Sequence, residues 1–385
     1  MSLKQFITFL FSLMVLEISS YASDIKNSVT LSFDAYMDNG GVQTYSPTIA
    51  VLKKLSTNFF VNAKLHIDAI SAASIKALTA ASTATNNTNN TGGEGGENEA
   101  SLFDDVRYAP TVSIGYDDGL NSASLGAYIS TEADYDGKAI FGSYVGQLNE
   151  QNTALGFSFS QSDDKWSPKI TRTMPKDYRR ETKLDFSLNQ LISPTLSMQL
   201  VYSYMYSEGF LADPYHSAPK ITPANLTAPK AYELFPEQRT GQAIALKGVG
   251  LINNSNSLNI AYRYYSDDWD ITSNTLNMEW LHDYSASTIT GLRLRYYSQS
   301  QASFAKPVNS YTVANAGQLI AIDYRMTAFD SYTIGIPFIH TLKDGNKLTA
   351  SIDYYQTSSN ENIKYWYNVD SLSAVFTSLT YSFDY

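Results

Sequence analysis

Val375-Phe376-Thr377-Ser378-Leu379-Thr380-Tyr381-Ser382-Phe383-Asp384-Tyr385 closes the chain and alternates between two faces. Apart from Thr377 the odd positions are apolar or aromatic, and beyond Phe376 the even positions are small polar or acidic. A strand with lipid on one face and water on the other must alternate in this way. Closing such strands into a barrel is the only way for them to cross a bilayer with every backbone group paired. An edge strand of a soluble sandwich shares the pattern, so the rest of the chain has to decide.

Moving back from the terminus, the same period returns repeatedly. Phe59, Val61, Ala63, Leu65, Ile67 and Ala69 oppose Asn62, Lys64, His66 and Asp68. Leu258, Ile260, Tyr262 and Tyr264 oppose Asn259 and Arg263, and Leu276, Met278 and Trp280 oppose Asn277 and Glu279. Leu196 to Tyr206 grades from aliphatic to aromatic along one face, as a strand does on leaving hydrocarbon. The first half predicts strands over 28–37, 45–53, 58–70, 106–116, 121–131, 135–147, 152–161 and 180–190. The second half predicts 195–206, 241–251, 257–267, 271–282, 287–298, 331–342, 347–357 and 372–385. The reading is an all-β, antiparallel up-and-down transmembrane barrel of about sixteen strands, with fourteen and eighteen as bounds because Gln318–Met326 also alternates.

The connections separate barrel from sandwich. Every second link is a short turn, such as Asp117-Asp118-Gly119, Ile192-Ser193-Pro194 or Lys343-Asp344-Gly345-Asn346. The interleaved links are mostly long: 71–105, 162–179, 207–240, 299–330 and 358–371. Short turns at one rim and long loops at the other are the outer-membrane pattern, with the final strand running toward the periplasm.

Targeting and composition agree. Lys4, the apolar stretch Phe6 to Leu16, and small Ser20 and Ala22 read as a signal peptide over 1–22, leaving 23–385 as the barrel. There are no cysteines, which removes disulfides and thiolate sites. The formal charge of −10 argues against nucleic acid as a partner. The 29 tyrosines suit rings placed between hydrocarbon and water. Tyr204, Tyr206, Tyr264, Trp269, Trp280, Tyr296, Tyr381, Phe383 and Tyr385 are the expected aromatic girdle residues. Asp267-Asp268-Trp269-Asp270 reads as a solvated turn beside that girdle. The Asn/Thr/Gly-rich tract inside 71–105 reads as a disordered extracellular loop.

If Tyr262 and Tyr264 face lipid, Arg263 faces the lumen, and parity sends Glu279, Arg293 and Arg295 inward with it. This basic row either sets ion selectivity or contacts a ligand, or it pairs with Asp185, Asp353 or a loop to brace the wall. Lys64, His66 and Asp68 form a second inward row without a metal partner. The four histidines lack a nucleophile elbow, phosphate loop or metal spacing, so no enzyme, no metal and no cofactor is expected.

Certain words are specific. Tyr262-Arg263-Tyr264-Tyr265-Ser266-Asp267-Asp268-Trp269 and Leu294-Arg295-Tyr296-Tyr297-Ser298-Gln299-Ser300 are the strongest. They are joined by Ile67-Asp68-Ala69-Ile70-Ser71-Ala72-Ala73-Ser74 and Glu208-Gly209-Phe210-Leu211-Ala212-Asp213-Pro214-Tyr215. Together they resemble a family of uncharacterised Gram-negative outer-membrane barrels known only as a domain of unknown function. The aromatic carboxyl end is similar to the terminal signature of such barrels. The resemblance implies an outer-membrane location, lipid and lipopolysaccharide contact, and delivery to the barrel-assembly machinery through the last strand. It also implies a periplasmic redox or lipoprotein partner, since relatives lie beside flavin-attachment and thioredoxin-like proteins. Three roles follow as expectations: a channel of unknown substrate, a non-conducting scaffold for such a partner, or surface adhesion through the 71–105 loop.

Overall fold

The structure is a computed structural model and describes residues 25–71, 105–132, 135–166, 176–213, 217–218, 231–307 and 319–385. The signal segment 1–22 and the Asn/Thr/Gly tract inside 71–105 lie outside these residues. Nine strands form the first part: β1 (Ser28–Asp38), β2 (Gln43–Lys54), β3 (Phe59–Ser71), β4 (Asp105–Asp117), β5 (Asn121–Thr131), β6 (Tyr135–Leu148), β7 (Thr153–Trp166), β8 (Tyr178–Ser193) and β9 (Leu196–Gly209). A two-residue hairpin, β10 (Ser217–Ala218) and β11 (Ala231–Tyr232), precedes seven more strands. These are β12 (Gln238–Asn253), β13 (Asn256–Asp267), β14 (Thr272–Ser285), β15 (Thr288–Gln299), β16 (Phe329–Thr341), β17 (Lys347–Thr357) and β18 (Ser373–Asp384).

All but the hairpin join one closed antiparallel barrel, sealed where β1 pairs β18 from Ser28↔Asp384 to Asp38↔Ala374. The barrel has sixteen strands, as the alternation predicts, and the carboxyl-terminal strand is the one that closes it. Several strands run past the expected ends, β7 by five residues to Trp166 and β8 by two at its start. Their extensions carry Asp163, Asp164 and Lys165, polar on both faces because both are wet above the membrane, and there the period-two signal stops.

The barrel is apolar outside. Phe33, Leu125, Ile129, Phe186, Ile244, Ile334, Ile336 and Leu379 stand exposed on its outer face. Each would cost about 1.5–3 kcal/mol to hold against water, and a bilayer removes that cost. The inner face is built from small polar groups: Ser32 and Thr380 hydroxyls meet at 3.0 Å, and Ser124 and Ser143 at 2.8 Å. Inner rings lie flat over glycine, as at Gly115, where an added Cβ would come within 2.1 Å of the Phe60 ring.

At the short-turn rim, side chains close the links. Asp118 accepts the Leu120 and Asn121 amides at 2.9 and 2.6 Å, and these bonds, with Tyr116, hold its carboxyl down at about 2. At the opposite rim the described parts of the loops pack on the inward-facing Ala243 and Tyr265. Of the alternating stretch Gln318–Met326, the described residues from Leu319 on add no seventeenth strand: Ile320 makes a single bridge to Leu234, and Tyr324–Met326 is a turn of 3-10 helix. Residues 358–371, read as loop, contain a short helix α1 (Glu361–Tyr367). The Asn360 side chain caps its start, accepting Asn362 N at 2.8 Å, and Asn368 ends it in the left-handed region at φ 55°. Seven residues are too few for a helical period to show.

Candidate functional site: the lumen wall and its cap

The exposed Tyr262 and Tyr264 set the parity of β13, so Arg263 faces the lumen, with Glu279, Arg293 and Arg295 on β14 and β15. The structure divides this row in two. Arg293 is a clamp: its guanidinium lies 3.0 Å from Glu279 and 3.2 Å from Asp353, bracing β14, β15 and β17. Gly335 lies between, and an added Cβ there would meet Asp353 Oδ1 at 1.8 Å. Arg295 instead reaches Asn277 Oδ1 at 3.4 Å, and Arg263 lies over the Tyr265 ring at 5.3 Å. Asp185, named as a partner for the row, receives the Ser158 and Ser203 hydroxyls.

The second inward row is tied together on β3. Asp68 is buried and accepts from Ser46 and Arg107, with His66 Nε2 lying 2.8 Å from its carboxylate. Thr48 Oγ1 lies 2.6 Å from His66 Nδ1, so the imidazole is held on both sides. Lys64 sits half-buried on the same face. Sequence reasoning passed over Arg107, although its parity with Thr111 and Ser113 on β4 places it inward. Among the described residues no group of three or more His, Asp or Glu is placed to hold a metal.

Most expected girdle residues occupy outward positions. Trp280 is 42% exposed and donates to Asn256 Oδ1 at 3.0 Å. Tyr264, Tyr296 and Tyr385 are exposed, while Tyr204, Tyr206, Tyr381 and Phe383 are half-buried on the same outer face. Trp269 is the correction: it is only 3% exposed and belongs to the cap's interior. Its turn is not simply solvated either. Asp267 accepts the Trp269 and Ile271 amides at 2.9 and 3.0 Å and pairs with Arg239. That bend lays the indole under Arg239 at 4.5 Å and edge-on to Phe235 and Phe304. An isolated aromatic among three carboxylates gave no sign of the rings that the other loops bring to it.

The cap grows from the barrel mouth. Trp269, Ile271, Ala302, Ala305, Ala321 and Met326 pack on the inward-facing Ala243 and Tyr265, while Ile363 and Tyr324 pack near Tyr355. Glu233, wholly buried, accepts the Ile322 and Asp323 amides at 2.6 and 2.7 Å. The Trp366 indole donates to Ile322 O at 3.0 Å. Arg325 joins Asp323 and reaches Asp213 at 3.4 Å. Burial opposes its charge, but the two carboxylates outweigh burial and hold its pKa well above the ordinary value. Burial likewise pushes the Tyr324 and Tyr367 phenols up. Arg325 lies in the alternating stretch read as a possible strand, and neither it nor Glu233 carried a sign of the loop contacts that bury it.

A closed antiparallel barrel with a greasy exterior, a polar interior and all its long loops at one rim is an integral outer-membrane protein. The chain belongs to the family described as "Protein of unknown function (DUF3570)", whose model matches residues 14–177 and 166–383. No curated protein matches it. Among solved structures it is similar to a bacterial polysaccharide outer membrane secretin, at 6% identity and a TM-score of 0.52, covering 94% of this chain and 99% of that one. A ferric enterobactin receptor from Pseudomonas aeruginosa matches at 9% identity and 0.48, over 87% of this chain and 54% of that one. OpdK with vanillate, from the same organism, matches at 8% and 0.44, over 94% and 98%. At such identities what is shared is the fold.

Proposed function

We propose that this barrel is a water-filled pore for small solutes, narrowed at its extracellular mouth by the packed loops. One observation carries the reading. Arg293 projects from an inward position at mid-wall, yet its side chain is 40% exposed, so water reaches the barrel interior at that level. A lumen packed with side chains would bury it, as smaller barrels do, whereas sixteen strands leave room for an aqueous channel. The small hydroxyl-bearing residues of the inner face suit a wetted surface.

The test is conductance. The full mature chain, shown to be folded by a mobility shift on boiling, should give stepwise currents in planar lipid bilayers. A folded barrel that leaves the bilayer silent would overturn the pore and favour the scaffold, which co-purification of a periplasmic partner would then support.

A further inference from the structure

Two of the chain's four histidines stand on the outer face, and their strand positions put both at the short-turn rim. His282 shares the outward parity of Trp280 on β14, and His340 that of the exposed Ile334 and Ile336 on β16. Each imidazole lies nearly flat on the aromatic ring two residues before it. His282 stacks on Trp280 with centroids 5.8 Å apart at 20°, and His340 on Phe338 at 6.3 Å and 14°. The strand between them carries short side chains, Thr290 opposite His282 and Thr288 opposite His340. With strands about 4.8 Å apart and about 3.4 Å per residue, the two histidine Cα atoms lie roughly 12 Å apart. The result is a shallow groove with an aromatic and an imidazole on each bank and threonines on its floor.

Hydrogen bonds fix which atoms the banks offer. The Asn256 amide nitrogen donates to Asn253 Oδ1 at 2.8 Å, so its oxygen is the atom that faces Trp280 and His282. That oxygen accepts the indole N–H at 3.0 Å, and His282 Nδ1 lies 3.1 Å from it. His282 Nδ1 therefore carries a proton and donates. Thr288 Oγ1 pins His340, lying 2.9 Å from its Nδ1. Both rings are half-buried, and the Nε2 of each has no hydrogen-bond partner among the described residues. Protonation makes each Nε2 a charged donor on a ring already held in place. No carboxylate on the groove competes for it. Asp283 follows the parity of Glu279 to the lumenal face, and Lys343 with Asp344 on the turn after β16 adds one charge of each sign. Lipid at this rim is the periplasmic leaflet, made of phospholipids, and aromatic belts mark the level of their headgroups.

We propose that His282 and His340 form an outer-face site for the phosphate headgroup of an anionic phospholipid of the periplasmic leaflet. The headgroup lies across Thr288 and Thr290, its phosphate oxygens accepting from Nε2–H, and the acyl chains run down over Trp280, Phe338 and the exposed Leu292. Asn256 and Thr288 are positioning residues. The site lies on the lipid face and holds whether or not the lumen conducts.

Trp280 reports on this groove, because it is exposed while Trp166, Trp269 and Trp366 are 5% exposed or less. The full mature barrel, its folding checked by the mobility shift on boiling, is placed at about pH 6 in phosphatidylcholine bilayers that hold a minor fraction of phosphatidylglycerol. One of the two lipids at a time is brominated on its chains. At equal fractions, brominated phosphatidylglycerol should occupy the groove with a preference of about fivefold over brominated phosphatidylcholine, read as extra quenching of Trp280. His282→Gln/His340→Gln should bring the preference to unity. His340→Gln, which leaves the surroundings of Trp280 intact, should by itself reduce it. Lys138→Gln, on the outer face of the opposite rim, should leave it unchanged. Wild type without a preference, or a folded His340→Gln or double variant that keeps the whole of it, would overturn the site. Sodium phosphate that abolishes the preference where sodium chloride of equal ionic strength does not would make this a site for free phosphate and overturn the lipid.

Discussion

The wall and the cap of this molecule obey opposite rules. In the wall the large apolar side chains point out and the hydroxyls point in. In the cap Ala302, Ala321, Ile322 and Ile363 are fully buried, together with the charged Glu233 and Asp323, whose oxygens are met by amides and by Arg325. The difference follows from solvent. The wall has lipid to take its greasy face, whereas the loops project into water and must build a small core of their own on the rim that Ala243 and Tyr265 provide. Two tryptophans 11 residues apart therefore do different work. Trp269→Ala should open a cavity in the cap, removing about 3–5 kcal/mol of its local stability, read as faster amide exchange over 300–307 and 319–328. Trp280→Ala should leave that exchange alone. Lipids brominated on their chains should quench Trp280 and spare Trp269, and the reverse pattern would break the comparison.

The polar side of the cap gives the next effect. Glu233→Ala would strip the acceptor from two buried amides, at a cost of about 1–3 kcal/mol for each donor left unpaired. The expected result is protease sensitivity in the cap and a wider, noisier pore, with the barrel still heat-modifiable. Glu233→Gln retains an oxygen and should recover part of the loss. Unaltered protease resistance in Glu233→Ala would show that the cap does not depend on this carboxylate. Alkali should act on the same region. Tyr324 and Tyr367 have pKa values raised above those of the unfolded chain, so the stability they contribute is complete below the unfolded phenol value. It should be lost as the pH climbs beyond about 10, and cap exchange should accelerate there before the barrel opens.

These opposite rules also explain what could be read from the chain. Each strand carries its own evidence, since one residue in two must satisfy lipid, and so all sixteen strands and the inward direction of Arg263, Glu279, Arg293 and Arg295 were legible. The Arg293 clamp was only half legible, because parity gives direction and not which carboxylate across the sheet will be reached. The cap was not legible. Its two small clusters, Trp269 with Phe304 and Met326, and Ile363 with Tyr324, are assembled from separate loop segments whose own patterns do not show which others they meet. Only the closed ring of strands brings the members of each cluster together.

The smallest effect probes the wall itself. Arg293 is partly exposed to lumenal water, so its ion pairs should be worth about 1 kcal/mol or less, and Arg293→Gln should shift urea unfolding only slightly. Gly335→Ala attacks the same clamp from the other side, because the new Cβ would displace the Asp353 carboxylate. If the two changes act through one interaction, the double variant should cost no more than the worse single one. The loss should also shrink at high salt, as a solvent-accessible pair requires. Full additivity would mean that Gly335 serves the backbone and not the clamp. A loss of several kcal/mol from Arg293→Gln would mean that the guanidinium is buried, and the water-filled lumen would fall with it. The expected small value instead leaves the strength of the wall with its sixteen paired strands, where a lumenal charge can be changed without opening the ring.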